Sequence, residues 1–340
     1  MHLSNKLVLP DLLAACPFKW SIHPDFERAR DESAAWISGF KVLPEHKRVL
    51  IESELLIALV IPFAGYEELR TYCDFSNLLF VVDEYSDELN GAETQKFGEV
   101  FVKALSGEPT QGSVFSKIGE EFRSRLIQKA KPKCMERFLA RFAGYINAVS
   151  KESALRCDNE VLDIESFIHV RRENSAVRVC FSLLEYIHGI ELPDEVFEHP
   201  VFMRLYWQGV DAVWLANDLY SYSMERAKGL EGSNMLTIAM KEKGLSMQGA
   251  ADYVGDEIML RMNQFVADQK ELPSFGEAVD KDVQKYIFSM SQWQVGSMVW
   301  SFQSSRYFGA EKDEVKKTLV VNVKNYGDDD DDDADEGVFE

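Results

Sequence analysis

Five cysteines, Cys16, Cys73, Cys134, Cys157 and Cys180, are spread over 340 residues with no CxxC pair among them. Odd in number and far apart, they indicate neither a disulfide framework nor a zinc site, and reduced thiols are expected. The six histidines fall at no metal-ligand spacing. Long apolar runs are missing: the longest, Leu55 to Ala64, is about half the ~20 residues that a membrane-spanning helix needs. No charged-then-apolar leader is visible at the N-terminus. The expectation is a soluble, cytoplasmic protein with no stable membrane insertion. Period-2 alternation is scarce, which argues against sheet, and no repeat at solenoid spacing occurs.

Basic charge is in deficit, with 37 Lys and Arg against 57 Asp and Glu, for a formal charge of −20. Residues 328–340 hold nine of those acids and no base, and without them the balance is −11. Such a surface repels polyanions at long range, so neither nucleic acid nor an anionic membrane is an expected partner. An anionic small molecule would need local cations to hold it.

What the chain has in quantity is apolar and aromatic material: 46% hydrophobic residues, including 22 Phe, 12 Tyr and 6 Trp. That suffices for a large core or an aromatic-lined cavity. Apolar residues recur at helical spacing, as in Leu50, Leu55, Ala58 and Leu59, then Leu69, Tyr72, Cys73, Leu79 and Phe80. With prolines and glycines punctuating the pattern, an all-α fold of about ten to twelve helices is predicted. No convincing linker divides it. One helical domain over residues 1–325 and an acidic, disordered tail over 326–340 is the simplest organisation.

Two polar runs interrupt otherwise buried helix: Asp83-Glu84-Tyr85-Ser86-Asp87 and Asn217-Asp218-Leu219-Tyr220-Ser221-Tyr222-Ser223-Met224-Glu225. Asp83 and Asp87 are one turn apart. Asn217, Ser221 and Glu225 follow at i, i+4 and i+8, within about 80° of one another on one helical face. Oxygen ligands in such rows suit a hard divalent cation such as Mg²⁺, and two facing acid clusters are stable only with cations between them. An apolar wall precedes each run, Leu79 and Phe80 before the first, Val210, Val213 and Trp214 before the second. The ordinary alternative is a pair of solvated helix faces, and the two runs together argue against it.

Asp83-Glu84-x-x-Asp87 resembles the aspartate-rich motif, and Asn217-Asp218-x-x-Ser221-x-x-x-Glu225 the Asn/Ser/Glu motif, of class I terpene cyclases. Arg306-Tyr307 looks like their C-terminal diphosphate-binding pair, and Arg171-Arg172 like their diphosphate-sensing arginine. With Leu9-Pro10-Asp11 and the Asn77-Leu-Leu-Phe lead-in, the chain is most similar to fungal, basidiomycete-type sesquiterpene synthases over about residues 9–310. The resemblance implies a single helical bundle around an apolar cavity. It implies farnesyl diphosphate as substrate, three Mg²⁺ ions with Mn²⁺ as a substitute, and a carbocation cyclised after diphosphate departs, with 1,11-closure toward a protoilludene-type product as one outcome. Asp83, Asp87, Asn217, Ser221 and Glu225 would bind metal. Asp83, Arg172, Arg306 and Tyr307 would be catalytic, and Arg172, Arg306, Tyr307, Arg171 and Lys228 would bind the diphosphate.

Arg172 is favoured over Arg171 as the sensor because Ala176, four residues on, stands where relatives have glycine. Met224 replaces a lysine found in some relatives, leaving Lys228 or Arg226 to reach the diphosphate. Phe80, Leu79, Val213, Trp214 and Trp300 would line the cavity. A monomer or a homodimer is expected. Two rivals remain: a chain-elongating prenyltransferase, which should carry a second aspartate-rich motif, and a non-catalytic helical interaction protein.

Overall fold

The computed structural model describes residues 5–158 and 160–327. Within them the chain is all-α apart from one antiparallel ribbon, in which Lys6–Val8 pairs with Val320–Asn322 at the register Leu7↔Val321. Four long helices carry the site: Tyr66–Ser86, Pro132–Cys157, Pro200–Lys228 and Glu277–Gln303.

The Pro200–Lys228 helix is central. Proline at its first position has φ pre-set and lacks only an N–H that would be orphaned anyway, and Gly229 ends it at φ 72°. Every residue from Gln208 to Ser223 is buried except Asn217, which faces open space inside the protein. The Tyr66–Ser86 helix opens with Glu67 and Glu68, favourable at the positive end of the helix dipole. Its Phe75 packs against Phe122 and Phe138, with ring centroids 5.2 and 5.3 Å away. The Glu277–Gln303 helix comes so close to the Ser53–Val60 helix that a Cβ on Gly296 would lie 2.7 Å from the Leu59 carbonyl oxygen.

Seventeen α-helices are present among the described residues, more than the expected ten to twelve. Several apparent helices are cut by residues in the left-handed region. Glu52, at φ 47°, separates Glu45–Ile51 from Ser53–Val60, and Ala176, at φ 61°, separates Ile164–Asn174 from Val177–Ser182. Neither glutamate nor alanine is a customary occupant of that region, so neither break shows in the sequence.

One connected hydrophobic cluster runs from Leu7 to Val323. Tyr326 and Gly327, assigned to the tail by sequence, pack on the end of the central helix: the tyrosine ring covers Gly229, and the Gly327 N–H donates to the Ala227 carbonyl at 3.1 Å. The remainder of the expected tail, residues 328–340, lies outside the described residues. All five cysteines are unpaired. Among the described residues no helix is long and apolar enough to cross a membrane.

Candidate active site

The four long helices enclose a cavity of about 230 Å³. Its wall includes Leu79, Phe80, Val213, Trp214, Trp293 and Trp300, and its rim includes Asp83, Asp87, Asn217, Ser221 and Glu225. All the expected metal-binding and wall residues therefore meet in one space. Phe80 and Trp300 stand 6.2 Å apart by ring centroid, and Trp300 meets Tyr307 edge-on at 5.4 Å.

Asp83 and Glu84 occupy the last turn of their helix, which contains no basic residue, and Asp87 caps it. Acids at this end oppose the helix dipole as well as one another. Cations from other elements offset the repulsion. Arg306 reaches Asp83 at 3.1 Å and Glu84 at 3.6 Å, Lys47 reaches Glu84 at 3.3 Å, and Arg156 stands 3.8 Å from Asp87. Arg156 also donates to the Ser86 and Leu89 carbonyls, capping the helix end. Enclosure by protein raises the Asp83 carboxyl, Arg306 draws it back, and Glu84 pushes it up again. Asp83 nonetheless keeps 47% of its side-chain surface accessible, as a group facing open cavity does. Asp87 is raised by burial, then by Asp83 and Glu152. Glu84 differs: burial pushes it up, but Arg306, Lys228 and Lys47 outweigh burial and hold it low.

Across the cavity, Asn217 is held at both ends. Its Oδ1 accepts from Arg171 Nη2 at 2.5 Å, and its Nδ2 donates to the Tyr307 hydroxyl at 2.6 Å. Ser221 Oγ is buried without a well-formed hydrogen bond, its polar neighbour being the Glu225 carboxyl one turn on. Burial, then the charge of Asp218, pushes Glu225 up to about 7, while Asn234 Nδ2 donates to it at 2.9 Å. An orphaned serine oxygen beside a carboxyl that resists ionisation fits a site completed by a cation. Among the described residues no three His, Cys, Asp or Glu side chains form a ready-made metal cage. Asn217 and Ser221 instead supply neutral oxygens, and a bound anion would have to supply the rest.

The two arginines divide differently from expectation. Arg171, not Arg172, enters the cavity rim. Arg171 Nε donates to Asp218 Oδ1 at 2.9 Å and Nη1 to Asn174 Oδ1 at 3.3 Å. Burial alone would lower the Arg171 pKa, but Asp218, Glu152 and Glu225 more than reverse that. Arg172, about 100° further round the helix, turns outward. It forks onto Asp211 at 2.8 and 2.7 Å and stacks over Trp207. Ser175 and Ala176 both line the cavity, and Ser175 is the residue four on from Arg171. Lys228 lies on the rim, whereas Arg226 turns toward Met247 and Asn325.

Sequence reasoning passed over Tyr145, Val149 and Glu152, which line the cavity from the Pro132–Cys157 helix. Their i, i+4, i+7 spacing puts them on one face, but Glu152 sits in Ser150-Lys151-Glu152-Ser153, which reads as a solvated turn. It is raised by burial and accepts from Asn174 Nδ2 at 2.7 Å. Asn174 joins it to Arg171.

The family model described as terpene synthase family 2, C-terminal metal binding, matches residues 74–264, more than half the chain and a span that includes both polar runs. The chain belongs to the terpene synthase family. Terpene synthases are lyases acting on diphosphate substrates, and metal binding is part of the family's definition. Bifunctional terpene synthase Agr4 of Cyclocybe aegerita is 42% identical over 95% of this chain and 94% of its own. Sesquiterpene synthase Agr5 of the same fungus is 38% identical over 89% of this chain and 72% of its own. A protein of Coprinopsis cinerea named linoleate 10R-lipoxygenase COP4 is 43% identical over 94% of both chains. Among solved structures, germacradien-4-ol synthase from Streptomyces citricolor superposes with a TM-score of 0.76 at 21% identity, covering 88% of this terpene synthase and 99% of that chain.

Proposed function

We propose that this terpene synthase is a sesquiterpene synthase that ionises farnesyl diphosphate and cyclises the resulting carbocation. The observation that carries the reading is the facing of Asn217, Ser221 and Glu225 by Asp83 across one cavity mouth, with Arg171, Arg306 and Tyr307 on the same rim. Relatives named sesquiterpene synthases support the C15 substrate.

Asn217, Ser221 and Glu225 would hold one Mg²⁺, and Asp83, with Asp87 as a weaker ligand, two more; Mn²⁺ would fit the same oxygens. When bound, the ions supply Lewis-acid stabilisation of charge on the departing diphosphate. Arg171 and Arg306 offer forked, permanently charged donors to the phosphate oxygens. Lys228 adds a point charge and Tyr307 a hydroxyl, which burial keeps protonated by raising it to about 12. Phe80, Trp214, Trp293 and Trp300, which line the cavity, would exclude water and offer aromatic surface to a carbocation without acting as nucleophiles. A 1,11-closure is the proposed first ring.

This rim is built of hard oxygens and cations, which suits a diphosphate rather than a fatty-acid chain, so the lipoxygenase name of one relative is not carried over. Chain elongation is the second reading, and the Asn217, Ser221, Glu225 row in place of a second aspartate run counts against it.

The test is incubation of the purified protein with Mg²⁺ and geranyl, farnesyl or geranylgeranyl diphosphate, with mass spectrometry of the volatiles. A cyclic C15 hydrocarbon from farnesyl diphosphate is expected, and Asn217→Ala should abolish it while circular dichroism stays helical. A longer prenyl diphosphate on adding isopentenyl diphosphate, in place of a hydrocarbon, would sink the cyclase reading.

A further inference from the structure

Between the Glu45–Ile51 and Ser53–Val60 helices the chain turns at Glu52, with φ 47° and ψ 50°. In that left-handed region the Cβ of an L-residue crowds its carbonyl oxygen, and glutamate lacks the short polar side chain that lets Asn or Asp tolerate it. Such strain persists only where the surroundings enforce it. Here they do so through both ends of the residue.

In an unbroken helix the Glu52 carbonyl would belong to the Leu56 N–H; that contact is stretched to 3.4 Å. The carbonyl instead accepts from Leu55 N–H at 3.0 Å and from the indole Nε1 of Trp300 at 3.1 Å, which it shares with Ile51. The carboxylate Oε2 accepts the Ser305 N–H at 3.2 Å. Trp300 is cavity wall. Ser305 directly precedes Arg306, which donates to Asp83, and Tyr307, whose hydroxyl accepts from Asn217. The same segment sends Lys47 to Glu84.

We infer that Glu52 is a positioning residue: its left-handed turn ties the Trp300 wall and the Arg306–Tyr307 pair to one point of the backbone, fixing where the donors stand relative to the cavity. The inference rests on the diphosphate-cyclase reading of the site. The Trp300 link is through the main chain and the Arg306–Tyr307 link through the carboxylate, so substitutions separate them. Glu52→Gly adopts the turn freely and keeps the carbonyl, but deletes the carboxylate. Glu52→Asn also tolerates the turn, with a side chain one carbon too short. Glu52→Gln keeps an acceptor at the same reach.

Steady-state kinetics with farnesyl diphosphate and Mg²⁺ should show kcat reduced about tenfold or more in Glu52→Gly and Glu52→Asn, because displacing donors by a fraction of an ångström is costly when charge develops. Glu52→Gln should stay within about twofold of wild type, since the acceptor survives. Product proportions should hold in all three, since the Trp300 bond is intact. A second readout needs no turnover: the rise in melting temperature caused by Mg²⁺ with inorganic diphosphate should shrink in the Gly and Asn variants and persist in Gln. Failure of the wild type to form hydrocarbon would overturn the cyclase reading while leaving this binding readout decisive. Gly and Asn variants with a wild-type diphosphate shift, whatever their intrinsic stability, would reduce Glu52 to a helix cap and overturn the inference.

Discussion

Arg171 and Arg172 differ by one position and about 100° of helix rotation, and that rotation separates their partners. Sequence nominated this pair for a diphosphate and favoured Arg172, but it had no sound basis for the choice, which depends on which face of the Ile164–Asn174 helix meets the central helix. Asp218 and Asn217 receive Arg171, and Asp211, nearly two turns earlier, receives Arg172. Deleting Arg171 would leave the buried Asp218 with the Met235 N–H, and deleting Arg172 would leave Asp211 with the Trp214 indole and Arg261 at 3.7 Å, so lysine is the cleaner probe: it retains charge but loses the fork. Arg171→Lys should lower kcat with farnesyl diphosphate by about tenfold or more. Arg172→Lys should leave kcat within about twofold, since Arg172 does not line the cavity and what changes is its fork on Asp211 and its stack on Trp207. The reverse ranking would return the diphosphate contact to Arg172. That Asn217, Ser221 and Glu225 stand together on the cavity was legible for the opposite reason: they share a face whatever the helix packs against.

Among elements, the long helices could be read from apolar periodicity, and the breaks between short ones could not. Glu52 and Ala176 hold left-handed conformations that no local signal announces, Glu52 with ties to Trp300 and Ser305 from the far end of the chain. Close helix approach is equally silent, since a glycine in a helical run looks merely unfavourable. Gly296 gives this a sign test. In an exposed helix, replacing glycine by alanine stabilises by about 1 kcal/mol. At Gly296 the added methyl meets the Leu59 carbonyl oxygen at 2.7 Å and Val60 at 2.9 Å, atoms with little freedom to move. Overpacking of that kind costs about 1–3 kcal/mol, so the clash should win. Gly296→Ala is expected to lower the urea midpoint. It should also disturb product proportions, because Trp293 and Trp300 flank the site on the same helix. A raised midpoint would mean that the two helices separate easily.

For the whole molecule, composition and periodicity conveyed helical class, acidity and abundant aromatic lining, whereas the ribbon joining the two ends escaped notice because three-residue strands carry no periodic signal. Global stability adds a dependence on pH that the sequence could not disclose, through His188. Its ring stacks on Phe63 at 4.9 Å, and its Nε2 lies 2.7 Å from Ser289 Oγ. Ser289 already donates to the Lys285 carbonyl, so the imidazole is the donor to Ser289. Burial, reinforced by Lys285, lowers the His188 pKa from the usual 6.5 to about 4. Between those values the unfolded chain binds a proton that the folded one refuses. The contribution of His188 is therefore fully present above about pH 6.5 and is lost as pH falls toward 4, at up to about 1.4 kcal/mol per pH unit. Many carboxylates titrate over the same range, so the informative quantity is a difference. His188→Gln keeps a donor for Ser289 and has no proton to gain. Denaturant midpoints measured from pH 4.5 to 7 should fall less steeply on acidification in His188→Gln than in the wild type, the two series running parallel above pH 6.5. Parallel series over the whole range would mean that His188 ionises within the folded protein as readily as in water, and that the stack on Phe63 opens to solvent.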